Sequence, residues 1–312
     1  MDNLAKQIVT PVDGSKNSMR SFDYLDLIFG AKQNIDIHLL YVMPALPPIL
    51  TDKETMDKRI QAKLKAVEKK NVQLAERILS KAKAALMEKD FAENRINAVY
   101  KKAAITTAKD INHWVNGRKV DAVLLTRRGR SDLKSFFMGS VTQRLLEYHP
   151  FSPVWVVEGG VRSNKVLICV DASENALEGV DHAGFMLSGT DCRITLFHSM
   201  RHLRRYVPRE VLMEVPGLDQ LWKEKAGRQI SLNMQKAREM LLDAGLDSKQ
   251  MNTKVVNGSR SAAYDILKEA HDNDYGTIVL GRRGVSALKE FIMGSVTSKI
   301  LHNSAGFAIW IV

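Results

Sequence analysis

Thr277-Ile278-Val279-Leu280-Gly281-Arg282-Arg283-Gly284, then nine residues (285–293), then Gly294-Ser295-Val296-Thr297, is the stretch on which the reading of this chain turns. Its first four residues are apolar and largely β-branched, which predicts a short buried strand, and residues 295–302 predict a helix. Glycine lets the backbone pass close to a ligand and take positive φ without steric cost. The free N–H groups that open a helix, with its dipole, attract an anion. Two glycine turns at the carboxyl end of one strand therefore predict a phosphate cradle.

The chain writes this pattern twice. Thr126-Arg127-Arg128-Gly129, nine residues (130–138) and Gly139-Ser140-Val141-Thr142 repeat the spacing at an offset of 155 positions (126 to 281, 129 to 284, 139 to 294). The interiors agree as well: Leu133-Lys134 with Leu288-Lys289, Phe136 with Phe291, Met138 with Met293. A register kept over that distance is an internal duplication. At 312 residues the chain has room for two domains of ordinary size, expected at 1–160 and 161–312 with Glu158-Gly159-Gly160 as the linker.

Working outward, the first half predicts strands at 7–12, 35–42, 95–100, 120–125 and 153–157. Between them run helices at 18–29, 54–87 and 105–116, and one after the glycine motif. Pro44, Pro47 and Pro48 force an irregular passage before the long helix, whose apolar stripe is Ile60, Leu64, Val67, Leu74, Ile78 and Leu86. The second half repeats the order: strands at 165–170, 192–198, 252–256, 277–280 and 307–312, and helices at 175–187, 221–243, 261–273 and 295–302. Asp13-Gly14-Ser15 and Asp171-Ala172-Ser173 both follow a first strand and can cap the next helix. Alternating strands and helices predict an α/β fold with a parallel sheet covered on both faces, its ligand at the carboxyl ends of the strands where the winding reverses.

Composition narrows the class. No apolar run approaches the ~20 residues of a membrane span, and the polar N-terminus lacks a signal-peptide pattern, so a cytoplasmic location is expected. Cys169 and Cys192 lack metal-ligand spacing and read as small buried hydrophobes in a reducing compartment. The net charge of +11 is assigned mainly to the lysine-rich run 53–89, a solvated helix, rather than to nucleic-acid binding. Arg201, Arg204 and Arg205 are the exception: concentrated after a strand, they could meet a phosphate or an acidic protein partner.

The motif Gly281-x2-Gly284-x9-Gly294-Ser295, with a first strand ending at Asp171 and a terminal β-strand, resembles the ATP-binding branch of the universal stress protein family, in tandem and over essentially the whole chain. That resemblance implies two doubly wound, parallel αβ sandwiches of strand order 3-2-1-4-5, paired through their last strands, 153–157 against 307–312, as an intramolecular pseudo-dimer. Association of two whole chains is left open. It implies ATP, or ADP or AMP, at the carboxyl edge, with Mg²⁺ brought by the phosphates. Carried over, Asp171 and Ala172 would meet the adenine and ribose end, and Ser199 the adenine through its backbone. Gly281, Arg282, Arg283, Gly284, Gly294 and Ser295 would hold phosphate and ribose, extended by Val296 and Thr297. The first-half positions are Asp13, Val42, Thr126, Gly129, Gly139, Ser140, Val141 and Thr142.

Two departures predict a weakened first half: Thr126 stands where the first glycine belongs, and Pro11 interrupts a central strand. The expected role is a nucleotide-binding stress-response regulator with at most slow ATP hydrolysis. Its rivals are a phosphoryl- or adenylyl-transfer enzyme using Asp171 or His198 as base, and a basic scaffold built on residues 201–205. Ser131-x-x-Lys134 and Ser286-x-x-Lys289 spell an acyl-enzyme pattern but lack its companion motifs. Trp155 and Trp310 occupy matching places on the terminal strands and are read as interface residues rather than ligand-stacking ones.

Overall fold

The computed structural model describes residues 5–30, 34–47, 50, 57–127, 139–147, 152–282 and 293–312. Arg283, Gly284, Gly129 and both Ser-x-x-Lys patterns lie outside the described residues. The chain divides into two compact units, the main change-over falling between Gly159 and Gly160.

The first unit runs β1 (Lys6–Pro11), α1 (Lys16–Phe29), β2 (Ile35–Met43), α2 (Lys58–Met87), β3 (Ile96–Lys102), α3 (Thr107–Asn116), β4 (Ala122–Thr126), α4 (Ser140–Glu147) and β5 (Val154–Val157). Its sheet order is β3-β2-β1-β4-β5, with parallel pairings throughout. The second unit runs β6 (Lys165–Cys169), α5 (Glu174–Leu187), β7 (Arg193–Met200), α6 (Arg209–Glu214), α7 (Leu218–Asp243), β8 (Met251–Asn257), α8 (Ala262–Asp272), β9 (Thr277–Leu280), α9 (Ser295–Asn303) and β10 (Ala308–Ile311). Its order, β8-β7-β6-β9-β10, is the same winding, again all parallel. The predicted 3-2-1-4-5 order therefore holds in each unit.

Burial explains the assignment. All four residues of each of β5, β9 and β10 are buried, as strands covered on both faces must be. β3 and β8, at the sheet edges, are mostly exposed and carry Lys101, Lys102 and Lys254, charges that discourage strand addition. The helices begin where short polar side chains accept from their first-turn amides. Ser15 takes Ser18 N–H, Thr106 takes Lys109 N–H, Ser173 takes Ala176 N–H and Ser261 takes Tyr264 N–H. Trp155 and Trp310 are fully buried, so neither ring is available to stack on a ligand. Both cysteines are thiols, and burial with the neighbouring Asp171 pushes the Cys169 pKa up.

Several expectations need correction. β7 continues two residues past His198 to Met200, because Ser199 and Met200 still pair with Val256 and Asn257 of β8. Between the expected strand 192–198 and the expected helix 221–243 the chain forms a helical turn at Leu203–Arg205 and all of α6, and α7 starts at Leu218 rather than 221. On α2 the apolar stripe is buried only in the second half: Ala75, Leu79, Ala82 and Leu86 face the core, while Ile60, Val67 and Leu74 remain exposed.

Pro11 ends β1 with little disruption. Lys6 N–H donates to Asn34 O and Val12 N–H to Leu40 O, so by strand alternation the even-numbered amides face β2 and the donor missing at Pro11 belongs to the β4 side. There β1 pairs with β4 at Ile8–Ala122 and Val9–Val123, whereas β6 pairs with β9 over three rungs, ending at Ile168–Val279. The proline shortens the ladder by one rung and leaves the fold intact.

Buried histidines tie stability to pH, His38 and His182 among them. His38, whose Nε2 lies 2.8 Å from Gln7 Oε1, has its pKa lowered mainly by loss of hydration. His182 on α5 keeps a rim at the surface but stands edge-on to Trp310, centroids 5.7 Å apart, and burial pushes its pKa down to about 3. Both folded values lie below the unfolded value of about 6.5, so the unfolded chain binds more protons and stability is lost as pH falls through 6.5. The thermal midpoint is expected to drop between pH 7.5 and 5.5, and less so in His182→Gln. A flat wild-type profile over that interval would contradict this.

Candidate functional site

The predicted site is a junction of three segments at the carboxyl ends of the neighbouring strands β6 and β9. After β6, Asp171 Oδ1 accepts from the N–H of Ser173 at 2.9 Å and from its hydroxyl, an Asx turn that starts α5. Asn233 of α7 donates to Asp171 O at 3.2 Å, fixing the same turn from the far side. His198 on β7 places Nδ1 2.7 Å from Val170 O. A carbonyl only accepts, so Nδ1 carries the proton, and burial, the largest influence, lowers the pKa and keeps the ring neutral.

After β9, Arg282 N–H donates to Val312 O at 2.6 Å, Gly294 N–H donates to Arg282 O at 3.0 Å, and the Thr297 hydroxyl donates to Gly281 O at 3.1 Å. These bonds pin both ends of the glycine motif together and seat the first turn of α9 on the end of β9. Gly294 is the N-cap of α9 and supplies no side-chain acceptor, so the opening amides of the helix are left to another partner. Ser295 is exposed and Val296 half-buried, while Thr297 is buried.

Gly281 is required for space rather than for its backbone conformation. Neither Gly281 nor Gly294 takes a positive φ. What position 281 requires is space: an added Cβ would lie 2.6 Å from Asn175 O, 2.7 Å from Asn175 C and 2.9 Å from Ala176 N, all backbone atoms opening α5. Gly179, one turn into α5, faces the same stretch at ordinary contact distance, its Cβ position 3.5 Å from Gly281 N. The amino ends of α5 and α9 thereby converge on one bare stretch of main chain, a geometry that suits an anionic ligand.

The first unit keeps the frame with different fittings. Ser15 N–H donates to Asp13 Oδ1 at 2.9 Å, the same turn as at Asp171, and Arg127 N–H donates to Val157 O at 2.9 Å, the counterpart of Arg282 to Val312. Gly139 precedes α4, in which Ser140 is exposed, Val141 half-buried and Thr142 buried. Thr126 and Ser21 stand where Gly281 and Gly179 meet in the second unit, so the same close packing of helix on strand has no glycine pair to make it.

The sheet register also supports the pairing of Val42 with Ser199: Pro11 faces Leu40 and Cys169 faces Phe197, and Val42 and Ser199 follow two residues later. The Ser199 side chain has a role the sequence did not suggest, donating to Asp265 Oδ2 at 2.6 Å. Asp265, buried on α8, also accepts from the Ser259 hydroxyl at 2.6 Å and from Ser259 N–H at 3.2 Å, and Asp110 on α3 accepts from Ala104 N–H at 3.0 Å in the matching place. A carboxylate in the first turn of α3 and of α8 was the available signal, but it reads equally well as a solvated helix start.

The universal stress protein family model matches residues 5–158 and again 163–306. The chain belongs to the universal stress protein family. Its relatives include universal stress protein YxiE of Bacillus subtilis, 28% identical over 146 residues, which span 44% of this chain and 90% of that protein. Among solved structures, a universal stress protein from Archaeoglobus fulgidus covers 98% of this chain and 97% of its own at a TM-score of 0.66 and 17% identity. A Pseudomonas aeruginosa protein of unknown function covers 99% and 93% at 0.54 and 13%. Identities that low speak for the fold. Among the described residues no group of three or more His, Cys, Asp or Glu side chains could hold a metal ion, and no helix is long and apolar enough to cross a membrane.

Proposed function

We propose that this universal stress protein is a cytoplasmic stress-response regulator that binds an adenine nucleotide, ATP first among them, in the domain formed by 161–312. The domain formed by 1–160 carries a weakened copy of the site. The observation that carries this reading is the uncapped amino end of α9, hydrogen-bonded through Gly294 to Arg282 and seated by Thr297 on Gly281. Bare amides and a converging pair of helix ends fit phosphate oxygens. Gly281, Arg282, Gly294, Ser295, Val296 and Thr297 would hold phosphate and ribose, joined by Arg283 and Gly284. The turn Asp171-Ala172 and the backbone of Ser199 would take the adenine and ribose end. Mg²⁺ would arrive with the nucleotide, held by its phosphates.

The same residues argue for binding without rapid turnover. Phosphoryl transfer calls for a group that orients the nucleophile and a metal clamp. The two candidate bases are both engaged: Asp171 Oδ1 braces its own turn, and His198 Nδ1 bonds Val170 O. A universal stress protein solved in complex with cAMP matches one half of this chain at 20% identity and a TM-score of 0.34, so the identity of the nucleotide rests on this chain's own groups. Steady-state phosphate release from saturating MgATP is expected to stay well below about 1 per second, the low end of ordinary enzymes. Turnover at or above that rate would replace the regulator with an enzyme.

A further inference from the structure

The second unit has a cleft of about 470 Å³ formed by the loops that follow β7 and β8. In the order β8-β7-β6-β9-β10 these loops lie on the far side of β6 from β9, so the cleft stands apart from the glycine junction while sharing Ser199 with the adenine end of the proposed nucleotide site. Its size falls within the range of small-molecule sites, roughly 300–1,000 Å³. Its chemistry is one-sided. Arg201, Arg204, Arg205, Lys223 and Arg260 face only two carboxylates, Asp219 and Asp265.

Both carboxylates are already occupied. Asp219 is paired with Lys223 at 2.7 Å, and Lys223, then Arg204 and His202, hold its carboxyl below the usual range. Asp265 spends its oxygens on Ser199 and Ser259. Among the described residues no carboxylate lies within salt-bridge range of the four arginines. Three of them meet neutral groups instead: Arg205 donates to Arg260 O, Arg201 lies 3.5 Å from the Tyr206 hydroxyl, and the Arg260 guanidinium stands over the Tyr264 ring at 5.2 Å.

The loops are built to stay in place. Leu203 is buried and anchors the turn that presents Arg204 and Arg205 outward, and Trp222 Nε1 donates to Arg201 O at 3.1 Å. Gly258 lets the opposite wall approach, because a Cβ there would lie 2.7 Å from Met200 O and 2.8 Å from Ser199 Oγ. The first unit supplies an internal control. Ala103 N–H bonds Met43 O at 2.9 Å just as Gly258 N–H bonds Met200 O at 2.7 Å, and Asp110 occupies the place of Asp265. At the cationic positions, however, the sequence offset gives it Pro44 for Arg201, Pro47 for Arg204 and Ile105 for Arg260. The framework folds without the arginines, so their gathering in one half is not a demand of the fold.

We propose that this cleft, which borders the adenine end of the proposed nucleotide site at Ser199, is a second anion site that takes a small molecule carrying several linked phosphates. Arginine's planar fork matches phosphate oxygens in pairs, and a cluster without acidic partners favours a multiply charged group over a single carboxylate. Calorimetric titration of the full chain with inorganic tripolyphosphate tests this, carried out in the Gly294→Asp variant so that the glycine junction does not contribute. Saturable binding is expected, at least 10-fold weaker in Arg204→Ala/Arg205→Ala and partly recovered in Arg204→Lys/Arg205→Lys, with circular dichroism unchanged because both side chains are exposed. No binding, or binding indifferent to these arginines, would overturn it. So would arginine-dependent retention on duplex DNA without tripolyphosphate binding, which would make the cleft a nucleic-acid surface. A failure of this proposal leaves the phosphate cradle at the glycine junction untouched, since that junction lacks Arg201, Arg204, Arg205 and Arg260.

Discussion

Gly281→Thr, which copies the first half's residue into the second, is expected to destabilise the second unit by about 1–3 kcal/mol, the usual range for overpacking. The Cβ would stand 2.6 Å from Asn175 O and 2.9 Å from Ala176 N, and neither atom belongs to a side chain that could swing away. Relief requires α5 to lift from β9. That movement would open the contact at Gly179 and loosen the turn at Asp171, so nucleotide affinity should fall with stability. The reciprocal change, Thr126→Gly, adds no overlap and should cost the first unit only what glycine costs in a strand, about 0.5–1 kcal/mol. Denaturant unfolding of the two variants gives the comparison. A Gly281→Thr midpoint indistinguishable from wild type would mean that the helix does not approach the strand as described.

Gly294→Asp is expected to weaken ATP binding at least 100-fold while leaving the protein folded. Aspartate is a favoured N-cap, so its carboxylate should accept from the opening amides of α9 and support the helix. It would thereby occupy the donors assigned to phosphate and set a negative charge among the oxygens, and 100-fold corresponds to about 2.8 kcal/mol. Gly139→Asp, the same change in front of α4, is expected to leave the stronger site nearly unaffected. If Gly139→Asp abolishes binding and Gly294→Asp does not, the roles of the two halves are reversed.

Much of this architecture was legible in the chain, because its signals are local and repeated. The 155-residue offset, the Asp-x-Ser turns and the buried β-branched runs are properties of short windows, and the sheet order followed once the duplication and the family resemblance were seen. What could not be read depends on distant partners. The need for glycine at 281 comes from the backbone of Asn175, more than a hundred residues away, and has nothing to do with φ. Pro11 looks disruptive until the amide alternation shows which neighbour loses a donor. Asp265 resembles a helix-start carboxylate until Ser199 and Ser259 close on it, and Arg260 is a lone loop arginine until the fold carries it to residues 201–205. The exposed first half of α2 shows the limit of periodicity: an apolar stripe says which face could be buried, not whether anything lies against it.

Equilibrium titration of the intact chain with ATP, with Gly294→Asp and Gly139→Asp alongside, reaches the central claim most directly. Saturable binding is expected with one dominant site per chain, lost in the first variant and retained in the second. Failure of the wild-type protein to bind ATP, ADP or AMP at any stoichiometry would contradict it.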